Sequence, residues 1–339
     1  MLRTISRTLA AAVALLALAA PAPAQSDILL RLRSGSPLGD RFRVDSASGF
    51  VAKGVLGVGI IPFTGAGERL MWHPNKAAFR AGSIGSAGTQ WDDPNTGYYT
   101  WAGGYNTIAL GLASFAMGYT STALGSYSTA LGYTANADGT GAVALGYRTT
   151  ADADYSVAIG QRASANGHAG AIVFSDGSTT DSTQASANNQ FTVRAAGGVR
   201  LFTNATMTVG VQVAAGGSSW VVISDRNRKE GFLSVDGEDL LARLRFVPVT
   251  TWRYRDEADR STLHIGPMAQ DWHRAFGFTT DDHTINMSDF DGVNLAAIQA
   301  LARRTDALQA ENAALRDQNR QLEARLARLE AAVEGARRP

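Results

Sequence analysis

Residues 123–146 read ALGSYSTALGYTANADGTGAVALG, and this stretch decides the fold. Alanine returns at every seventh position, in an unbroken row through Ala102, Ala109, Ala116, Ala123, Ala130, Ala137, Ala144, Ala151, Ala158 and Ala165. Two residues beyond each alanine stands Gly104, Gly111, Gly118, Gly125, Gly132, Gly139, Gly146, Gly160 or Gly167, with Ala153 the single exception. The residue between is apolar at Leu110, Met117, Leu124, Leu131, Leu145 and Ile159 but polar at Asp138, Asp152 and Asn166. Alternate units therefore differ, which predicts a 14-residue coil made of two seven-residue passes.

Seven residues is also the period of a helical heptad, and composition separates the two readings. Glycine in nine of the ten units would cost a helix about 1 kcal/mol each, whereas the abundant Ser, Thr, Tyr and Asn favour strands and turns. A short strand such as Ser156-Val157-Ala158-Ile159, ended by a glycine turn and repeated, predicts a solenoid. Small alanines fill its interior and each glycine allows a backbone corner. So narrow a roll encloses little core, and several copies packed side by side are expected.

The units Ser128-Thr129-Ala130-Leu131-Gly132 and Ser156-Val157-Ala158-Ile159-Gly160 resemble the head repeats of trimeric autotransporter adhesins. For residues 101–170 the resemblance implies a mainly β chain, wound as a left-handed parallel β-roll in a homotrimer. Downstream, residues 171–223 read as a strand-rich extension of the shaft, with strands near Ala171 to Phe174, Gln190 to Val193, Val209 to Val213 and Trp220 to Ile223. Upstream, residues 25–100 read as a β-rich N-terminal cap. It contains the apolar runs Phe50 to Val58 and Gly59 to Phe63, with Trp72, Trp91, Tyr98, Tyr99 and Trp101 expected to pack rather than to hold glycan. Residues 1–24 carry Arg3 and Arg7 before the apolar run Leu9 to Ala20 and then Ala22-Pro23-Ala24, the pattern of a cleaved export signal. An exported protein, secreted or held at the cell surface, is expected, with no membrane span once the signal is removed.

Composition changes at Ser224. Nine formally charged side chains fall in residues 100–223 and 22 in residues 224–292. The latter read as a small α+β domain: a helix over Gly237 to Leu244, a strand over Val249 to Tyr254, a helix beginning near Met268 and a loop through Asp289 to Gly292. Residues 293–335 read as a coiled coil. Its d positions are Leu301, Leu308, Leu315, Leu322 and Leu329, and its a positions are Ile298, Thr305, Asn312, Asn319, Leu326 and Val333. Each buried leucine contributes about 2 kcal/mol to association. Asn at a with Leu at d leans toward dimers, while the roll asks for three chains.

The 31 Lys plus Arg balance 30 Asp plus Glu, a formal charge of +1, so nucleic acid is not an expected partner. The chain has no cysteine, which excludes disulfides, thiolate metal sites and a cysteine nucleophile. The five histidines, His73, His168, His264, His273 and His283, show no ligand spacing, and no phosphate loop or G-x-S-x-G is present. No metal and no cofactor are expected.

The remaining nucleophile candidate is a serine beside a base. Lys53, Lys76 and Lys229 are the only lysines, and Lys229 lies five residues after Ser224 at the change in composition. Free lysine, with a pKa near 10.4, becomes a base near neutrality only if burial brings it to about 7, which takes roughly 4.6 kcal/mol. Spacing alone does not distinguish this dyad from a solvated lysine after a loop serine. The wider set of motifs does: Ser224-Asp225-Arg226-Asn227-Arg228-Lys229, then His264-Ile265-Gly266-Pro267-Met268-Ala269-Gln270-Asp271, then Gly292-Val293-Asn294-Leu295 entering a coiled coil. Together these closely resemble the intramolecular chaperone domain that ends phage endosialidase tailspikes and related tail fibres.

That resemblance implies a trimerising domain that templates the preceding fibre and cuts itself off with a serine and lysine dyad. Its serine falls on Ser224 and its lysine on Lys229, and the bond cut is Ile223 to Ser224. Glu230-Gly231-Phe232 departs from the family, where further Lys or Asn are common. Asp225 is expected to start a turn and Gln270 to be a buried hydrogen-bonding residue. The expected function is a single-turnover self-cleaving peptidase at the end of a trimeric fibre or adhesin-like protein. The alternative keeps the C-terminal domain uncut as a trimeric stalk. The expected partners are two further copies, with a surface glycan or protein receptor left unidentified.

Overall fold

The computed structural model describes residues 28–34, 39–45, 49–278 and 281–336. The expected signal peptide, residues 1–24, lies outside the described residues. The described residues form two compact units, those up to 199 together with 214–218, and 200–213 together with those from 219 onward.

The first unit is a parallel β-solenoid of about five turns with additional strands at either end. Five-residue strands Trp101–Tyr105, Phe115–Tyr119, Thr129–Tyr133, Val143–Tyr147 and Val157–Gln161 stack in parallel, with Ala102, Ala116, Ala130, Ala144 and Ala158 paired in register. Two-residue strands Ile108–Ala109, Thr122–Ala123, Asn136–Ala137 and Thr150–Ala151 form a second parallel stack that continues through Ala163–Ser164 and Thr183–Gln184. The two seven-residue passes thus belong to different sheets, and the 14-residue coil is the structural repeat. Strands Ile172–Ser175 and Phe191–Arg194 extend the longer stack.

All ten alanines of the row are buried. A second buried row runs two residues ahead of it: Thr100, Thr107, Ser114, Ser121, Ser128, Ala135, Ala142, Thr149, Ser156 and Ala163. Each pass therefore turns two small side chains into an interior too narrow for larger ones. Several of the buried hydroxyls return a hydrogen bond to the backbone, as when Ser128 Oγ donates to Gly125 O at 2.7 Å and Ser156 Oγ donates to Ala153 O at 2.7 Å.

The glycines do not all act as corners, contrary to the sequence expectation. Many corners are carried by residues such as Thr120, Thr134 and Arg148, with φ of 49°, 53° and 54°. The glycines are set by the distance between coils. A Cβ on Gly132 would lie 2.0 Å from Gly146 O, and one on Gly125 would lie 1.9 Å from Gly139 O. Ala153 breaks the row where the repeat itself changes, since Val157 pairs with Ile172, fifteen residues on.

Before the roll, Gly67–His73 and Ala78–Ile84 form an antiparallel pair whose second strand joins Trp101–Tyr105 in parallel. Arg80 pairs with Ala102 and so stands at the head of the alanine column. Its buried guanidinium closes that end: Nη1 and Nη2 donate to Thr100 O at 3.2 Å and Ala109 O at 3.0 Å. Burial lowers its pKa to about 10. Trp91, also buried, donates Nε1 to Thr107 O at 2.9 Å. Of the five cap aromatics only Trp91 is fully buried; Trp72, Tyr98, Tyr99 and Trp101 are exposed in the single chain. The run from Phe50 to Phe63 holds a strand only at Gly49–Ala52, paired in the antiparallel sheet with Gly39–Asp45 and Ile28–Ser34.

In the second unit, α1 (Gly237–Leu244) starts on Asp236, whose carboxylate accepts from Glu238 N at 2.9 Å, as expected of an N-cap. A three-residue strand, Thr250–Trp252, pairs with His264–Gly266, and α2 (Ala269–Phe276) follows. The expected loop at Asp289 to Gly292 is helical instead: α3 runs from Met287 to Ala336. Asn286 Oδ1 accepts from Ser288 N at 2.9 Å, Asp289 complements the dipole of the first turn, and Phe290 and Val293 pack into the core. That packing offsets the helix penalty of Gly292. The core comprises Leu240, Val247, Trp272, Val293 and Ala297. From residue 301 to 336 every residue of α3 is exposed in the single chain.

Candidate active site

The strands Gly210–Ala214 and Val221–Val222 pair antiparallel, with Val211 opposite Val222, and carry the chain to Ile223. Ile223 N donates to Gly210 O at 3.4 Å, the last contact of this ladder. The chain then turns. Asp225 accepts from Asn227 N at 2.9 Å and Asn227 Nδ2 at 3.1 Å, which starts a single turn of 3₁₀ helix over Arg226–Arg228.

That turn determines the site. Arg228 N donates to Asp225 O and Lys229 N to Arg226 O, and Lys229 leaves the turn in an extended conformation with φ −125° and ψ 148°. Its side chain thereby returns to the turn's entrance, where Nζ donates to Ser224 Oγ at 2.7 Å. The two sequence-selected residues are in direct contact, and the bond from Ile223 to Ser224 lies between the strand end and the turn. Asp225 is committed to the turn and lies 3.6 Å from Arg228 Nε. Arg226 stacks its guanidinium over Phe232 at 5.1 Å.

The contact has the geometry of a proton-transfer pair within hydrogen-bond reach. Both partners are exposed in the single chain. As an ammonium, Lys229 donates to the hydroxyl; as a free amine, the same atoms hold the reverse bond, in which the hydroxyl donates to nitrogen. Only the second form can take a serine proton, and desolvation favours that form of a lysine in general.

Other sequence-selected residues lie elsewhere. Gln270, expected to be buried, is exposed on α2 in the single chain, because the buried face of that helix is formed around Trp272. His264 pairs with Glu257 at 3.1 Å and stacks on Trp252, with ring centroids 4.7 Å apart. His73 is buried and bonded to Asp93 at 2.7 Å. Among the described residues no cluster of His, Asp or Glu is arranged to hold a metal ion. The buried Ser and Thr row of the roll was missed in the sequence, although its spacing of seven was the available signal.

The family model described as chaperone of endosialidase matches residues 224–279, beginning on Ser224 itself. Upstream, the YadA head domain repeat matches twice, over residues 109–135 and 137–167. No curated protein and no solved structure matches the chain. The two matches support a trimeric fibre or adhesin-like protein.

Proposed function

We propose that this chain, which joins YadA head repeats to an endosialidase-type chaperone region, is an exported homotrimeric fibre whose C-terminal domain assembles it and then cleaves the Ile223–Ser224 bond once. The single observation that carries this reading is the 2.7 Å contact between Lys229 Nζ and Ser224 Oγ, made at the first residue of the chaperone match. Neutral Lys229 takes the hydroxyl proton as Ser224 Oγ attacks the carbonyl carbon of Ile223. The C–N bond breaks, the proton passes to the departing amine, and an ester joins Ile223 to the serine oxygen. Water then adds its hydroxyl to the Ile223 acyl group and its proton to that oxygen, leaving Ser224 as a new N-terminus.

The desolvation that frees the lysine amine comes from neighbouring copies, since both partners are exposed in one chain. Three chains also account for the exposed helix beyond residue 300, whose leucines at 301, 308, 315, 322 and 329 have no cover of their own. Among the described residues no helix is long and apolar enough to cross a membrane.

Intact mass of the purified protein tests the reading. Wild type yields a fragment beginning at Ser224, while Ser224→Ala and Lys229→Ala remain full length and still form trimers. The exposure of the dyad in one chain also favours a second reading, in which residues 224–339 stay attached as a stalk. A fully assembled but uncut wild-type trimer would establish that reading and overturn the first.

A further inference from the structure

At one corner of the solenoid each coil places a residue in the left-handed region, and these residues stack in a column: Ala77, Tyr99, Ala113, Tyr127, Gly141, Tyr155, Gly170 and Asn189, with φ between 48° and 68°. The backbone bonds repeat along it, as in Tyr127 N to Leu112 O at 2.7 Å and Tyr155 N to Thr140 O at 2.8 Å. The column alternates small and large residues. Each tyrosine is flanked on the neighbouring coils by alanine or glycine, and the three are 54%, 61% and 70% exposed. The edge of the Tyr155 ring lies over Gly141, 3.1 Å from where a Cβ would stand.

A second tyrosine column provides the contrast. Tyr105, Tyr119, Tyr133 and Tyr147 occupy consecutive coils and stack on one another, with centroids 4.9, 5.1 and 5.0 Å apart. Their faces are mutually covered, so that ladder offers a ligand only ring edges. The corner column skips a coil each time, so the backbone positions of its tyrosines are about 9.5 Å apart, twice the spacing of neighbouring strands. This is close to the length of a disaccharide in an extended pyranose chain. One face of a pyranose is lined with C–H groups, which pack favourably against the electron-rich face of an aromatic ring.

We propose that Tyr99, Tyr127 and Tyr155 form a binding strip for an extended, unbranched β-linked polysaccharide, with one disaccharide per ring. This goes beyond the assembly reading and rests on the solenoid alone. The probes are chitohexaose and cellohexaose, with maltohexaose, whose α-links curl the chain, as the geometric control. Calorimetry on the full-length protein is expected to show binding of a β-linked hexasaccharide but not of maltohexaose. Tyr127→Ala is expected to weaken binding about tenfold, Tyr127→Trp to preserve it, and Tyr133→Ala in the stacked ladder to leave it unchanged. Equal binding of all three sugars, no binding of either β-linked probe, or unchanged affinity in the Tyr127→Ala, Tyr155→Ala double variant would overturn the proposal. So would a change of sedimentation coefficient in that double variant, which would assign the strip to contact between copies.

Discussion

Gly132 and Gly125 occupy equivalent places in the sequence repeat, yet different physics holds them. Gly132 has φ of 134°, a conformation closed to other residues, and an added Cβ would strike Gly146 O on the next coil. At Gly125 φ is not positive, and an added Cβ is excluded only by the stacked backbone of the next coil, Gly139 O at 1.9 Å and Asp138 O at 2.9 Å. Since the obstacle is backbone in each case, no side-chain movement relieves it. Gly132→Ala is expected to destabilise the roll by about 2–4 kcal/mol, combining backbone strain with overpacking. Gly167→Ala, where nothing lies within 4 Å and only a φ of 75° resists, is expected to cost about 1 kcal/mol. Denaturant melts of the two variants beside wild type measure the difference. The sequence showed where glycine recurs but not why, because interlayer distance leaves no mark in composition.

Among the elements, those with strong local periodicity were the most legible. The alanine row predicted both passes of the coil, and the helix expected over Gly237 to Leu244 is α1 with the same bounds. The start of α3 was not legible: Asp289, Asp291 and Gly292 look like a turn, and only packing of Phe290 and Val293 on the core makes them helical. The end closure of the roll was equally hidden, since it depends on residues distant in sequence. There, His73 and Lys76 converge on Asp93, and the His73 hydrogen bond and then the Lys76 charge hold its carboxyl below the usual range. The folded pKa is thus below the unfolded one. The resulting stabilisation is present above the ordinary carboxylate pKa and is lost as pH falls through the folded value. Thermal melts from pH 6 to pH 3 are expected to show a smaller loss of stability in Asp93→Asn than in wild type, with the variant already less stable at pH 6.

For the whole molecule, the proposed chemistry depends on assembly. Ser224 and Lys229 touch within one chain, and since the proposal draws their desolvation from neighbouring copies, it requires cleavage to follow trimerisation. Long-range parallel pairing is slow to form, and a clamp that first fixes the register of three chains reduces misassembly. Under the proposal, cutting afterwards would make the assembled state kinetically persistent. Placing aspartate at two seam positions, Leu308→Asp with Leu315→Asp, is expected to give monomers on sedimentation and to leave the Ile223–Ser224 bond intact by mass, although neither residue touches the dyad. Efficient cleavage in such monomers would separate the chemistry from assembly.

The alternation of passes between two sheets sets a rule for how such a fibre changes length. Duplicating fourteen codons inserts one complete rung that finds the same neighbours above and below, and the shaft grows by about one strand spacing. Duplicating seven places a two-residue pass against the five-residue stack and breaks both ladders at once. Length in this design is therefore quantised: it grows by whole rungs, and half-steps are removed by the loss of their hydrogen bonds.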